Sequence, residues 1–198
     1  MSIVYTDMAV SVDGYAAGLD QSADHPFGPA VGMRLHSWML EDAENHKAEL
    51  DAITDAGAFV MGRNMFSPGR GEWDLEWKGW WGPEPPYHGP VFVLTHFERD
   101  PVPMEGGTTF HFVTDGIESA LAQAREAAGD RGVSIAGGAS TVNQYLAAGL
   151  LDELRLHVTP VLLGAGERLF EGVGDIQLEH LGTTGNERVQ HLRYRVVR

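Results

Sequence analysis

The chain alternates short apolar blocks with stretches rich in Gly, Pro and Asp. Ile3 to Val12 is an apolar run closed by Asp13-Gly14, the pattern of a buried strand ending in a turn. Ala16 to Gly32 has turn composition and predicts a loop. Leu35, Met39, Ala43, His46, Leu50 and Ile53 recur at helical spacing, which predicts one helix from about Arg34 to Ala56. Phe59-Val60-Met61, Val91 to Leu94 and Phe110 to Val113 are short strand-like blocks. Asp115 and Glu118 have capping-box spacing before a helix whose inner stripe is Ile117, Leu121 and Ala124 and whose stop is Gly129. Val133 to Ala136 predicts a further strand, followed by a helix carrying Val142, Tyr145 and Leu146 and ending near Gly149. Leu154, Leu156 and Val158 alternate with polar residues, and two last strands lie around 176–181 and 189–197, with Leu192, Tyr194 and Val196 on one face.

Crossover helices between early strands require parallel pairing, whereas helix-free strands at the end pair antiparallel. The expectation is a single α/β domain over 1–198: three layers, a mixed and mostly parallel sheet, and antiparallel C-terminal strands. Between 67 and 90 lies a Gly/Pro-rich loop that holds four of the five tryptophans: Trp73, Trp77, Trp80 and Trp81. Such a loop folds over a flat heterocycle or packs against a partner subunit.

Composition narrows the function. A formal net charge of -14 disfavours nucleic acid and anionic membranes, and no apolar run is long enough to cross a bilayer. A small-molecule substrate is expected instead. Without cysteine the chain has no thiolate nucleophile, disulfide or Cys-ligated zinc, which suits a reducing, cytoplasmic setting. No secretory signal is visible at the N-terminus. No metal site is expected, because the His residues are scattered and none pairs with acids at metal spacing.

Three strand ends carry candidate chemistry. Gly137-Gly138-Ala139-Ser140-Thr141 joins a strand to a helix; glycines there let a backbone approach a ligand, and a helix start offers free N–H groups and a positive dipole end. A capped tight turn would look the same. Gly62-Arg63-Asn64 occupies the same position after an earlier strand, where Arg63 could fork onto a phosphate or form a surface ion pair. Thr95-His96 is the third. Ligands of open α/β sheets bind outside the carboxyl ends of the strands, so the three gain weight together. Asp13 is a candidate proton donor, or only a turn-former. His46, on the apolar stripe, reads as a hydrogen-bonded core or pocket residue.

Ser11-Val12-Asp13-Gly14-Tyr15, Val60-Met61-Gly62-Arg63, Val93-Leu94-Thr95-His96, Ala136-Gly137-Gly138-Ala139-Ser140, Leu151-Asp152-Glu153-Leu154 and Pro160 to Gly166 occur in this order. As a set they resemble the C-terminal reductase domain of the riboflavin-biosynthesis deaminase–reductase RibD, a relative of dihydrofolate reductase. The resemblance implies a dihydrofolate-reductase-like sheet, NADPH as cofactor and a homodimer. By position it implies Gly62, Arg63 and Asn64 as a cofactor-phosphate loop, and Thr95 and His96 on the adenosine-ribose side. It likewise implies Gly137, Gly138, Ala139, Ser140 and Thr141 as the pyrophosphate turn, and Leu163, Gly164 and Gly166 near the nicotinamide. Those reductases tend to carry Lys after the Asp-Gly pair and Glu before the Gly-Gly pair, where this chain has Tyr15 and Ala136. The cofactor half matches and the substrate half departs. Three readings stay open: a stand-alone NADPH-dependent reductase of a heterocyclic or carbonyl-like compound, the pyrimidine reductase of riboflavin biosynthesis, and a non-catalytic nucleotide binder on the same scaffold.

Overall fold

The structure is a computed structural model describing residues 2–31 and 33–197. Its centre is a nine-stranded sheet. The early strands β1 (Val4–Ser11), β3 (Ala58–Gly62), β4 (Pro90–Leu94), β6 (Thr109–Val113), β7 (Val133–Gly137) and β8 (Glu153–Thr159) pair parallel wherever they meet one another. The late strands β10 (Gln177–Gly185) and β11 (Gln190–Val197) add antiparallel at the β8 side, and short β5 (Val102–Pro103) adds antiparallel beside β6. The spatial order is β10-β11-β8-β1-β7-β3-β4-β6-β5. A small ribbon of β2 (Tyr15–Ala17) and β9 (Glu167–Arg168) lies apart from it. This mixed α/β architecture, mostly parallel with antiparallel C-terminal strands, is the expected one.

Strand alternation divides the apolar residues between two faces. Ala58 and Val60 of β3 join the core beneath α4 (Ile117–Ala128) and α5 (Ala139–Ala147), while Phe59 and Met61 of the same strand join Tyr5, Phe66, Tyr87 and Phe110 on the other face. Leu192, Tyr194 and Val196 pack against the first core. The tryptophan loop covers the second: Trp73, Trp77 and Trp81 pack against it, with Trp81 stacked on Phe110.

Two expectations need correction. The helix expected over 34–56 is four pieces: 3₁₀ turns at Arg34–His36 and Ala43–His46, α1 (Ser37–Glu41) and α2 (Lys47–Thr54). The break at Asp42 (φ −141°, ψ 27°) follows from its carboxylate, which accepts from the Asn45 amide at 2.6 Å and the Asn186 amide at 2.8 Å; side-chain bonding here outcompetes the helical ladder. Nor does a capping box form at Asp115 and Glu118. The α4 cap is Gly116 at φ 91°, with no side-chain cap, because the chain turns one residue later than the spacing suggested.

Candidate functional site

Parallel pairing puts the carboxyl ends of β3, β4 and β7 at one edge of the sheet. There they open on a cavity of about 1020 Å³. Its wall includes Gly62 at the end of β3, Arg63 and Asn64 of the short α3 (Arg63–Phe66), Thr95 and His96 after β4, and the run from Gly137 at the end of β7 to Thr141 in α5. The three separate sequence candidates thus line one cavity.

The turn from β7 into α5 contains a cis peptide between Gly137 and Gly138. Gly138 caps α5 and no side chain satisfies that helix end. A Cβ on Gly138 would meet nothing within 4 Å, so the backbone faces open cavity. Gly62 has the opposite reason to be glycine: a Cβ there would strike the Thr141 hydroxyl oxygen, so its absence lets the end of β3 close up on α5.

Arg63 stacks over the Trp73 ring at 3.8 Å and donates from Nη2 to the Glu72 carbonyl at 3.3 Å. Its Nε and Nη1 are buried without hydrogen-bond partners. Burial, and then the charge of Arg70, pull its pKa below the ordinary value. Arg70 also lines the cavity, so two cations share this corner in a strongly acidic protein. Buried donors left unpaired beside a second cation form a place that an anion would stabilise. Thr95 is committed locally: its hydroxyl accepts from the Phe97 N–H at 3.1 Å.

Asp13 is placed differently. Its carboxylate accepts from the N–H groups of Leu163 (3.1 Å) and Gly164 (2.7 Å), tying the turn after β1 to the loop after β8. The Ser11 hydroxyl and these backbone donors lower its pKa to about 2. Asp13, Leu163, Gly164 and Gly166 are not part of the cavity wall, although the neighbouring Ala16, Ala17 and Glu167 are.

Several wall residues had no motif to announce them. Asp7 in the middle of β1, His157 in β8, His36, Trp38 and Arg70 all line the cavity. Asp7 and His157 have almost fully buried side chains, with Asp7 Oδ1 at 3.4 Å from His157 Nε2 and Asp7 Oδ2 at 3.6 Å from Arg155. A carboxylate inside an otherwise apolar strand was the available signal. Phe27, Met39, Ile53, Trp80 and Trp81 add an apolar part to the wall.

The fold is that of the dihydrofolate-reductase-like proteins. Dihydrofolate reductase from Enterococcus faecalis, titled as complexed with NADP(H), superposes with TM-score 0.56 at 17% identity, over 98% of this chain and 96% of that one. Residues 2–191 match the RibD C-terminal domain, so the chain belongs to that family. A putative riboflavin biosynthesis protein from Shewanella sp. PV-4 is similar over 99% of both chains, with TM-score 0.67 and 22% identity. The deaminase/5-amino-6-(5-phosphoribosylamino)uracil reductase of Thermotoga maritima has TM-score 0.61 and 15% identity; the match covers 99% of this chain and 57% of that longer one. No curated protein matches the sequence. Family membership points to an oxidoreductase, and among the described residues no helix is long and apolar enough to cross a membrane.

Proposed function

We propose that this protein is an NADPH-dependent reductase of a small, flat, heterocyclic or carbonyl-like compound. The observation that carries the reading is the pairing, in one cavity, of an uncapped helix start behind a bare Gly138 with two unpartnered buried donors on Arg63. Both features fit phosphate groups, and the NADP(H) named for the Enterococcus enzyme is a phosphorylated dinucleotide. Gly137 to Thr141 would hold the diphosphate through backbone and hydroxyl donors. Arg63, with Arg70 beside it, would take the additional phosphate that distinguishes NADPH from NADH; Asn64, Thr95 and His96 border the ribose side. When bound, the nicotinamide supplies hydride.

The residues at the other end do the rest. Trp80, Trp81 and Phe27 exclude water and offer ring faces for stacking, and Asp7 supplies the polar contact that orients a substrate. Asp13, held ionised and bonded to Leu163 and Gly164, positions that loop rather than donating a proton. Ala136 in the wall, where the riboflavin reductases tend to carry Glu, favours a substrate other than their phosphoribosyl pyrimidine. We also propose that the chain forms a homodimer.

Tryptophan-fluorescence titration tests the cofactor assignment, since Trp80 and Trp81 report from the cavity wall. NADPH is expected to bind more tightly than NADH. Equal affinity, or no binding of either nucleotide, overturns the reading.

A further inference from the structure

The chain buries three imidazoles in contact with one another. His157 Nδ1 lies 2.7 Å from His191 Nδ1, and His191 Nε2 lies 2.8 Å from His46 Nδ1. All three side chains are buried, and all three rings pack around the fully buried Trp38. The file has two ends. At the inner end, His157 Nε2 faces Asp7 Oδ1 at 3.4 Å, and both residues line the cavity. At the outer end, His46 Nε2 meets Asp42 Oδ2 at 3.2 Å, and that carboxylate is 17% exposed. Distant parts of the sequence supply the links: β1, β8, β11 and the broken segment before α2. The break at Asp42 that spoils the expected helix is what brings His46 into line.

The hydrogen bonds allow two tautomer sets. The Asn186 amide donates to Asp42 at 2.8 Å, and His46 Nε2 lies 3.2 Å from both that amide and Asp42 Oδ2, so it accepts from the one or donates to the other; the relay starts from the set in which it accepts. With uncharged rings, His46 Nδ1–H then donates to His191 Nε2, and His191 Nδ1–H to His157 Nδ1. The remaining proton of His157 then sits on Nε2, 3.4 Å from Asp7 Oδ1 and without a formed hydrogen bond, a gap that the proton step to Asp7 must close. Burial and the neighbouring His157 lower the His191 pKa to about 4, so the middle ring is uncharged at neutral pH. His36, from the preceding 3₁₀ turn, is likewise held at about 4 by burial and by His157. The other charged groups facing the file are Arg155 beside Asp7, and Glu49 of α2, whose donor atom lies within 4.8 Å of those of His46 and His191. These two rings spend their facing nitrogens on each other.

We propose that Asp42, His46, His191, His157 and Asp7 form a proton relay that carries protons from solvent to the substrate end of the cavity. The inference rests on the reductase reading. Reduction of a C=N or C=O bond breaks its π bond; the carbon receives hydride from the nicotinamide, and the heteroatom receives a proton from Asp7. Asp7 takes that proton from His157 Nε2. His157 is refilled at Nδ1 from His191, His191 at Nε2 from His46, and His46 at Nε2 from water at Asp42. One proton enters and one leaves. With product gone, water in the open cavity returns a proton by the reverse route and restores the starting tautomers, so the file lends a proton while substrate fills the cavity and recovers it from cavity water afterwards.

The test uses the full-length protein. His191→Phe keeps an aromatic ring in the stack and removes both nitrogens. It should leave NADPH affinity unchanged while lowering turnover by on the order of a hundredfold, the scale of a lost general acid. The probes are 5-amino-6-(5-phosphoribosylamino)uracil, a pteridine and an aromatic ketone. Turnover of any of these at the wild-type rate overturns the relay. Should His191→Phe not fold, His46→Gln at the outer end serves the same arm. Histidine-selective nitrogen NMR of the wild type is the second arm and needs no substrate. Couplings across both N–H···N bonds, with His191 uncharged at neutral pH, support the relay; independent rings or a charged His191 overturn it. If NADPH does not bind, the reductase reading falls on its own, and the NMR arm together with an Asp7→Asn shift of the His157 tautomer decides whether a directed file reaches the cavity.

Discussion

At the scale of single residues, the two charged positions singled out in the sequence part company. Arg63 keeps two buried donors unused, whereas every acceptor position on Asp13 that matters is filled from the loop it holds. Arg63→Ala should therefore weaken NADPH by about 1–3 kcal/mol, the range for a lost charge-assisted bond, and should narrow the preference over NADH. Unchanged affinity by fluorescence titration would remove Arg63 from the site. Asp13 predicts a pH effect on stability. Its folded pKa of about 2 lies below the ordinary 3.8, so the unfolded state binds the extra proton first on acidification. The clamp's stabilisation is thus complete above about pH 4 and disappears as pH falls through about 2. Asp13→Asn should lower Tm at pH 7, and the gap from wild type should close in that acid window. A gap that stays constant to pH 2 would mean that ionised Asp13 is not what holds the loop. Asp7 shows what sequence reading misses at this scale: one carboxylate in an apolar run has no motif, and its meaning comes from His157 and Arg155, about 150 positions away.

At the scale of elements, periodicity located every long strand and the two well-formed helices, because α4 and α5 each bury one regular stripe on the sheet. It failed between 34 and 56, where His46 and Asp42 obey a polar network with Asn186 rather than the helical repeat. The three strand-end motifs could be read in order from the sequence, but only parallel register shows that they share one cavity. Gly138 tests the joint between strand and helix. Its backbone (φ −74°, ψ −169°) lies where any residue can stand, and a side chain there would project into empty space. Gly138→Val should therefore melt like wild type and lose NADPH binding by at least about tenfold, since bulk would fill the approach to the uncapped helix start. Loss of Tm together with affinity would mean that the glycine serves the turn. Retained affinity at normal Tm would remove the diphosphate from this helix end.

At the scale of the whole molecule, the remaining question is the edge of the sheet. Leu192, Tyr194 and Val196, which share one regular apolar face in the sequence, are occupied against this chain's own core. Beyond β11, however, β10 runs for nine residues as the outermost strand, mostly exposed, with Leu178 at 42% and Val197 of the adjoining strand at 45% accessible. A long edge with unpaired backbone groups must be covered, charged or paired. The other edge ends in the two-residue β5, too short to template a partner. The same β10 also carries the Glu179–Arg195 pair at 2.6 Å, a polar margin beside the apolar positions, as interfaces commonly have. A two-fold dimer through β10 would satisfy that edge in both copies at once and close, leaving no further edge to propagate. Sedimentation at micromolar concentration should therefore give twice the 21.6 kDa chain mass. Leu178→Lys, which puts a charge on the exposed β10 edge without touching the cavity, should shift the protein to monomer while leaving NADPH affinity unchanged. A wild type that sediments only at the chain mass ends the dimer proposal, and a Leu178→Lys protein that stays dimeric moves the interface away from β10.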